Sequence, residues 1–142
     1  MTVPSSTPHP LHSARNVQTQ SRPQRMNNSD VLSLWHRVTL DGVLGDNPDL
    51  TSRQFVLLTT VYLEAGPHTV RSLAAKLDVT KAVITRALDT LAGYHFIERG
   101  PDHRDKRSVI VKRTARGSTF LTRFAETIRA EMKLGQINSV AA

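Results

Sequence analysis

The sequence predicts a mostly α-helical fold that contains a small β-hairpin wing. Two short stretches between Val70 and Gly93 carry apolar residues at helical spacing, and a tight turn separates them. Two strand-like runs follow, and the turn between them is heavily basic. Further amphipathic stretches lie on both sides of this region. This order of elements predicts an α+β fold, a winged helix-turn-helix with flanking helices.

The composition is that of one small basic domain. The chain has 142 residues, 39% of them hydrophobic, which is enough for one modest core. Its net charge of +7 is expected of nucleic-acid binders and also of some ribosomal and membrane-surface proteins. The chain has no cysteine, which excludes disulfides, thiolate metal sites and cysteine nucleophiles. Without a long apolar run or a signal-peptide pattern, we expect a cytoplasmic protein with no membrane partner.

Residues 1–28 are predicted to form a disordered basic tail. They contain four prolines, many small polar residues and three arginines, with no acidic residue. Such a segment can act as a DNA-tracking arm, but composition favours an idle tail, and Met26 offers an alternative start of translation. We expect the folded domain to span residues 29–135 and a short C-terminal tail to occupy residues 136–142.

The first helix is predicted to begin among the capping residues from Asn27 to Asp30. Val31, Leu34, Trp35 and Val38 recur at helical spacing along it. The stretch from Asp30 to Asp49 has a net negative charge, so we do not expect it to face DNA. Core packing is the expected role of most of this stripe, and contact with another subunit is the alternative.

The second helix is predicted to start at the N-cap Thr51 and to end at Gly66 and Pro67. Phe55, Leu58, Val61, Tyr62 and Ala65 give it an apolar face. The β-branched pair Thr69 and Val70 follows His68 directly. We therefore expect residues 68–70 to form a very short strand that pairs with the wing.

The helix-turn-helix follows. Leu73, Ala74 and Leu77 form one edge of a short helix, and the turn is Asp78-Val79-Thr80. Thr80 is a suitable N-cap for the next helix, whose buried stripe is predicted to contain Ile84, Leu88 and Leu91. Thr80 and Lys81 lie at the helix N-terminus, which favours a phosphate.

The outward face of the second helix of the helix-turn-helix carries small and polar side chains, which a groove-reading helix needs. Its members are Ala82, Thr85, Arg86 and Asp89. Arg86 is suited to hydrogen bonding with guanine, and Thr85 to contact with a thymine methyl group. An ordinary solvated helix shows the same polar arc, so this pattern alone favours an ordinary surface helix.

The wing provides the discriminating feature. Gly93 is predicted to close the helix, and the strands are predicted at residues 96–99 and 108–112, with turn residues from Gly100 to His103. From Arg99 to Arg116 there are seven Lys or Arg against two Asp, a net charge of +5. Basic residues on a hairpin edge can simply block edge-to-edge pairing. Next to a helix-turn-helix, however, they more often contact phosphate.

The wing turn carries a recognisable motif. Residues 102–107 read Asp-His-Arg-Asp-Lys-Arg and match the pattern D-x-R-D-x-R. Residues 50–55 and residues 113–117 add two further matches, the latter similar to an L-T-x-x-G helix entry. Over about residues 29–132 the chain resembles the multiple-antibiotic-resistance repressor (MarR) family of winged-helix transcription regulators.

The resemblance implies a homodimer on a pseudo-palindromic double-stranded DNA site. It places the second helix of the helix-turn-helix in the major groove and the wing on the flanking minor groove or backbone. The DNA-contacting residues would be Thr80, Lys81, Ala82, Thr85, Arg86, Arg104, Lys106 and Arg107. Asp102 and Asp105 would orient the basic side chains of the wing. The resemblance also implies a small-molecule effector, bound between the dimerisation lobe and the DNA-binding lobe.

The last helix is predicted to begin at Thr114 and to end near Gly135. Its apolar stripe is too long for the small module to cover alone, so a partner helix is implied, either the first helix or the same helix of a second subunit. Members of the family usually have one more helix, for which residues 136–142 are too short. We therefore predict a homodimer weaker than is usual in the family. The expected contact residues are Trp35, Phe120, Phe124 and Ile128.

Catalytic function is not expected. The six histidines show no metal-ligand spacing, and no phosphate-binding loop, nucleophile elbow or paired-carboxylate motif is present. No metal and no cofactor is expected. The sequence therefore predicts a sequence-specific DNA-binding regulator located at the nucleoid. The alternative is a winged-helix adaptor that binds a protein or RNA through the same surface.

Overall fold

The computed structural model describes residues 25–141, with side chains as far as residue 136. Residues 1–24, most of the predicted tail, lie outside this range. The described range contains five helices and three strands in the order expected for a winged helix. They are α1 (Asn28–Leu44), α2 (Ser52–Leu63), β1 (His68–Thr69), α3 (Val70–Leu77), α4 (Lys81–Gly93), β2 (Ile97–Pro101), β3 (Val109–Arg113) and α5 (Ala115–Ala141).

Three helices begin with reciprocal capping pairs. Asn27 and Asp30 cap α1, and Thr51 and Gln54 cap α2, so the predicted capping residues of both helices are confirmed. Thr69 and Ser72 form the same arrangement at α3. In each pair, two backbone N–H groups that have no acceptor within the helix donate to side-chain oxygens.

The three strands form one antiparallel sheet in the order β1-β3-β2. His68 lies opposite Val111 and Thr69 opposite Ile110, so the predicted short strand that pairs with the wing is confirmed for these two residues. Val70, the third residue of the predicted strand, instead begins α3. The wing is longer than predicted, because Gly100 and Pro101 continue β2 instead of forming the turn. Pro101 is tolerated as the last residue of its strand, where fewer ladder hydrogen bonds require an N–H.

The core lies between α2, α3, α4 and the sheet. The predicted apolar stripe of α4 is buried, as are Leu73 and Ala74 of α3. Gly93 is the last residue of α4 but does not adopt a left-handed conformation, which occurs two residues later at His95, with φ 59°. The buried side chains of this core belong to Leu57, Leu58, Val61, Leu73, Ala74, Ile84, Ala87, Leu88, Leu91, Phe96, Ile97 and Val111.

Helix α1 contradicts the expectation that most of its stripe is core. Val38 is its one buried residue, whereas Val31 is 49% exposed and Trp35 is 60% exposed. The helix instead lies along α5, where Arg37 Nε donates to Glu131 Oε2 at 2.5 Å. Because α1 packs mainly on one neighbouring helix, one side of α1 is covered and much of the stripe faces outward.

Helix α5 continues past its predicted end at Gly135 and reaches Ala141, so residues 136–141 are helical and do not form a tail. A glycine inside a helix costs only about 1 kcal/mol, which neighbouring turns can offset. The ring of Phe120 stacks on Phe96 at 4.5 Å between centroids, and Phe124 packs on Phe55 at 4.7 Å. The first half of α5 therefore docks on its own chain, and α1 is the partner helix that the sequence implied.

Candidate nucleic-acid interface

The turn between α3 and α4 sets the angle of the outward-facing helix. Asp78 ends α3 in the left-handed region, with φ 52°, a conformation that Asp tolerates better than most residues. The N–H of Val79 then donates to the carbonyl of Ala74 at 3.1 Å. Thr80 caps α4, and its hydroxyl accepts from the N–H of Val83 at 3.4 Å. The predicted turn and N-cap are thus confirmed.

The structure brings the predicted base-reading residues together on one face of α4. Ile84, Ala87, Leu88 and Leu91 turn inward and are buried. The opposite arc is open, and Thr85 on its edge is half-buried. Exposed members of this arc include Thr80, Lys81, Ala82 and Arg86. The face is shallow around Ala82, which permits close approach to a flat surface such as the edges of base pairs.

The wing tip is a turn held by two carboxylates. Asp102 accepts from the backbone N–H of Arg104 at 2.9 Å, and Asp105 accepts from that of Arg107 at 3.0 Å. Asp105 also accepts from the hydroxyl of Ser108 at 2.8 Å. Both aspartates thus hold the backbone that carries the basic side chains of the wing, and the prediction that they orient those side chains stays a prediction. Ser108 was missed by sequence reasoning, although it follows the D-x-R-D-x-R motif directly.

These hydrogen bonds have an electrostatic consequence at Asp105. The Ser108 hydroxyl, and then the Arg107 backbone N–H, stabilise the carboxylate and lower the pKa of Asp105 below its ordinary value of 3.8. Asp105 is therefore an anion at neutral pH. Around it the side chains of His103, Arg104, Lys106 and Arg107 are all exposed. The tip presents cationic side chains from a turn whose backbone these hydrogen bonds hold.

Two of the seven basic residues counted in the sequence have structural roles. Arg99 forms an ion pair with Asp89 of α4. Arg113 donates through Nε to the carbonyl of Val61 at 2.8 Å and through Nη2 to that of Glu64 at 3.2 Å, so it completes the C-terminal turn of α2. The exposed cations of the segment apart from these two are Arg104, Lys106, Arg107, Lys112 and Arg116. The usable charge of the wing is smaller than the sequence total suggests.

A hydrogen-bonded junction joins the base of the wing to α2 and α5. The hydroxyl of Tyr62 accepts from the N–H of Thr114 at 2.8 Å and donates to the carbonyl of Phe96 at 2.8 Å. Thr114 Oγ1 donates to the carbonyl of His95 at 2.7 Å and accepts from the N–H of Gly117 at 3.0 Å, which confirms Thr114 as the cap of α5. The wing is therefore anchored at its base while its tip projects into solvent.

Gly117 is required by this junction. A Cβ at this position would overlap with the carbonyl oxygen of Phe96 and the hydroxyl oxygen of Tyr62, and would lie 2.9 Å from Tyr62 Cζ. The sequence signal for this contact was the glycine of the L-T-x-x-G match, although periodicity alone does not reveal what the glycine touches.

A cavity of about 290 Å³ lies between α1, α2 and α5. Four aromatic side chains line it, together with polar groups that include Asp41, Asp49 and Arg123. The aromatic lining residues are Trp35, Phe55, Phe120 and Phe124. Phe120 and Phe124, expected at a dimer interface, thus face the interior of their own chain. Ile128 is half-buried, and Trp35 remains largely exposed.

Two classes of feature are not found in the described part of the chain. Between residues 25 and 136, no three His, Asp or Glu side chains cluster closely enough to hold a metal ion. Within the same region no helix combines the length and apolar character that crossing a membrane requires.

Comparison with known proteins agrees with this geometry. Residues 50–109 match the model of the MarR family. The HTH-type transcriptional repressor NicR of Pseudomonas putida is 30% identical over 95 residues, which cover 66% of this chain and 60% of that protein. The multiple antibiotic resistance protein MarR of Salmonella typhimurium is 40% identical over 72 residues, which cover 51% of this chain and 49% of that protein. The chain thus spans about half to three-fifths of the length of these two relatives.

The fold is shared with solved structures. The transcriptional regulator Tm0710 of Thermotoga maritima superposes with a TM-score of 0.64 at 22% identity, over 80% of this chain and 76% of that one. At 80% of this chain, the superposition extends beyond the 60 residues of the family match.

Proposed function

Because the chain belongs to the MarR family of transcription regulators, we propose that it is a sequence-specific DNA-binding transcription regulator. Helix α4 enters the major groove, and the wing tip contacts the flanking minor groove or backbone. One observation carries the proposal. The structure places a shallow polar helix face and an ordered cationic hairpin tip on one rigid module, with their bases packed on a common core. Such a protein acts on the chromosome, in the cytoplasm at the nucleoid.

Base reading is assigned to the outward arc of α4. Arg86 is exposed and can address guanine O6 and N7, and Thr85 can contact a thymine methyl group. Thr80 and Lys81 lie at the helix N-terminus, where unpaired N–H groups and the helix dipole favour a phosphate. Ala82 allows the helix to approach the base edges closely.

Affinity without sequence information is assigned to the wing. Arg104, Lys106 and Arg107 project from the turn that Asp102 and Asp105 hold. Each cation that neutralises a phosphate releases a condensed counterion, so the wing contributes to the dependence of binding on salt. The ordered backbone reduces the entropy that the tip loses on binding.

The assembly proposed is a homodimer on a pseudo-palindromic site. Val31, Leu32, Trp35 and Val43 lie within one arc of about 120° on α1 at helical spacing, and all four are 49% exposed or more. Contiguous apolar surface of this kind marks an interaction site. A second copy meets it with the same face, which gives the two-fold symmetry that paired half-sites require.

A small-molecule effector is proposed for the cavity between α1, α2 and α5. Its volume of about 290 Å³ lies near the lower end of the range for ligand sites. Its walls combine aromatic rings with a few charged groups, the composition that holds and orients a small aromatic molecule. The same rings connect α5 to the core that carries α4.

The proposal is tested by titrating the full-length chain against two labelled duplexes over a salt series. One duplex is selected by the chain from a random pool, and the other is unrelated in sequence. We expect tight binding to the first, weaker binding to the second, and affinity that falls steeply with salt for both. Arg86→Ala and Thr85→Ala should each reduce the discrimination by about 1–3 kcal/mol, with a smaller effect on the unrelated duplex.

Two outcomes contradict the proposal. If the chain selects no sequence from the pool, or binds both duplexes equally, it has no operator, and the module acts as an adaptor for protein or RNA. If both α4 variants keep full discrimination, α4 is not the reading helix.

A further inference from the structure

The outward face of α4 contains one residue that does not suit a DNA surface. Asp89 lies on the same stripe as Ala82 and Arg86, and its side chain is 52% exposed. An anionic side chain on this face repels the phosphate backbone unless it accepts from a base amino group or is paired with a cation. The structure shows the second arrangement, because Asp89 Oδ1 accepts from Arg99 Nη2.

Arg99 reaches Asp89 from the base of the wing. It is the middle residue of β2, opposite Val111 of β3, which in turn pairs with His68 of β1. It lies two residues after the buried Ile97, so its side chain leaves the sheet on the core side, towards α4. Its side chain is 32% exposed.

We infer that the Asp89–Arg99 pair is the joint that sets the angle between α4 and the wing, and that Asp89 is a positioning residue and does not read a base. This inference rests on the proposed function, since the angle matters only if both elements contact one DNA molecule. The loop between the two elements is only three residues long. The pair adds a side-chain contact on the far side of that loop, near the middle of the hairpin. Each partner also cancels the charge of the other on the DNA-facing side.

The experiment distinguishes three roles for Asp89: setting the angle between α4 and the wing, reading a base, and contributing only its charge. The full-length chain is titrated against two duplexes with the same selected core site, one of which extends about ten base pairs beyond the core on each side and reaches the wing. The ratio of the two affinities, the flank ratio, measures the contribution of the wing. We expect Asp89→Asn and Arg99→Gln each to lower the flank ratio by about tenfold and to change binding to the short duplex by less than about twofold.

A charge-reversed double variant and a matched control complete the test. Asp89→Arg combined with Arg99→Asp should restore most of the flank ratio, because the pair is re-formed with opposite polarity. Glu64→Gln breaks a comparable exposed pair with Lys76, whose atoms are 2.7 Å apart and whose side chains are 46% and 48% exposed. This control should leave the flank ratio unchanged.

Three results overturn the inference. If the flank ratio is unchanged in both single variants, the Asp89–Arg99 pair does not set the angle between α4 and the wing. Asp89→Asn can change the preference at one core base pair while Arg99→Gln does not, which makes Asp89 a base reader. Asp89→Asn can strengthen binding to both duplexes equally, which reduces its role to charge. A wild-type chain that selects no core site contradicts the proposed function itself and is recognised before any variant is measured.

Discussion

The winged module of residues 50–113 and the helix pair α1 and α5 bury their apolar side chains to different extents. Among the side chains that the structure describes, all buried hydrophobic residues except Val38 lie in the module, between Leu57 and Val111. Helix α1 exposes Leu32 at 67%, Val43 at 62% and Leu44 at 76%. The comparison shows that the module has a complete core of its own, whereas α1 packs on α5 and leaves large apolar side chains exposed in the described part of the chain. The proposed DNA-binding function belongs to the first region and the proposed dimer to the second.

The largest expected effect is at the junction of the two regions. Gly117→Ala places a methyl group against the carbonyl of Phe96 and the hydroxyl of Tyr62, so the junction must open and lose hydrogen bonds. We expect a loss of at least about 3 kcal/mol in the free energy of unfolding. Urea unfolding followed by circular dichroism measures this loss.

Gly93→Ala is the matched control, because no atom lies within 4 Å of a Cβ at that position and Gly93 does not need a positive φ. Its stability should be equal to that of the wild type or higher, by up to about 1 kcal/mol. Equal losses in the two variants would show that the junction does not hold the module to α5.

The next effect concerns α1 alone. Trp35→Glu should raise the dissociation constant of the dimer by at least about thirtyfold, because a charge replaces an aromatic anchor in both subunits. Light scattering over a concentration series measures the change. Leu63→Glu, at a position that is 79% exposed on α2, should leave the dimer intact.

Phe124 is a poor choice for the same test, because its ring packs on Phe55 inside the chain. A wild-type chain that stays monomeric at micromolar concentration would contradict the dimer. So would a Trp35→Glu variant that dimerises as the wild type does.

A smaller effect separates two arginines that the sequence places in one basic run. Arg107→Ala should weaken binding to every duplex and lower the salt slope by about one, with unchanged stability. Arg113→Ala should leave the salt slope unchanged and reduce stability by about 1–2 kcal/mol, because the carbonyls of Val61 and Glu64 lose their donor. Thermal melting and binding titrations at several salt concentrations test both. The reverse pattern would place Arg113 on DNA and the wing tip away from it.

The smallest effect is the pH response of the wing. Since the pKa of Asp105 is lowered in the folded chain, its contribution to wing order is fully present above 3.8 and is lost as the pH falls through the lowered value. A carbon-13 NMR titration of the carboxyl group should show a midpoint below 3.8. Ser108→Ala should move this midpoint upward, because it removes the largest cause of the shift. An unchanged midpoint in Ser108→Ala would show that the hydroxyl does not hold the wing turn.

Much of the fold could be predicted from short-range patterns. The caps at Asn27, Thr51 and Thr80, the buried stripe of α4 and the short strand at His68 all depend on residues within a few positions of each other. Helical periodicity and capping are local in the chain, so the sequence displays them directly. The wing motif and the glycine at position 117 were visible for the same reason.

The sequence by itself determined the order of elements, the face of α4 that carries Thr85 and Arg86, and the position of the basic hairpin. Only the tertiary structure decided which charges remain available, because Arg99 meets Asp89 across 10 residues and Arg113 meets Val61 across 52. It also decided that Trp35 is exposed. Helix α1 contacts α5 through Arg37, whose partner Glu131 is 94 residues away in the sequence. A side chain's local pattern states which face it occupies, but its partner depends on how distant elements pack, and that information is spread over the whole chain.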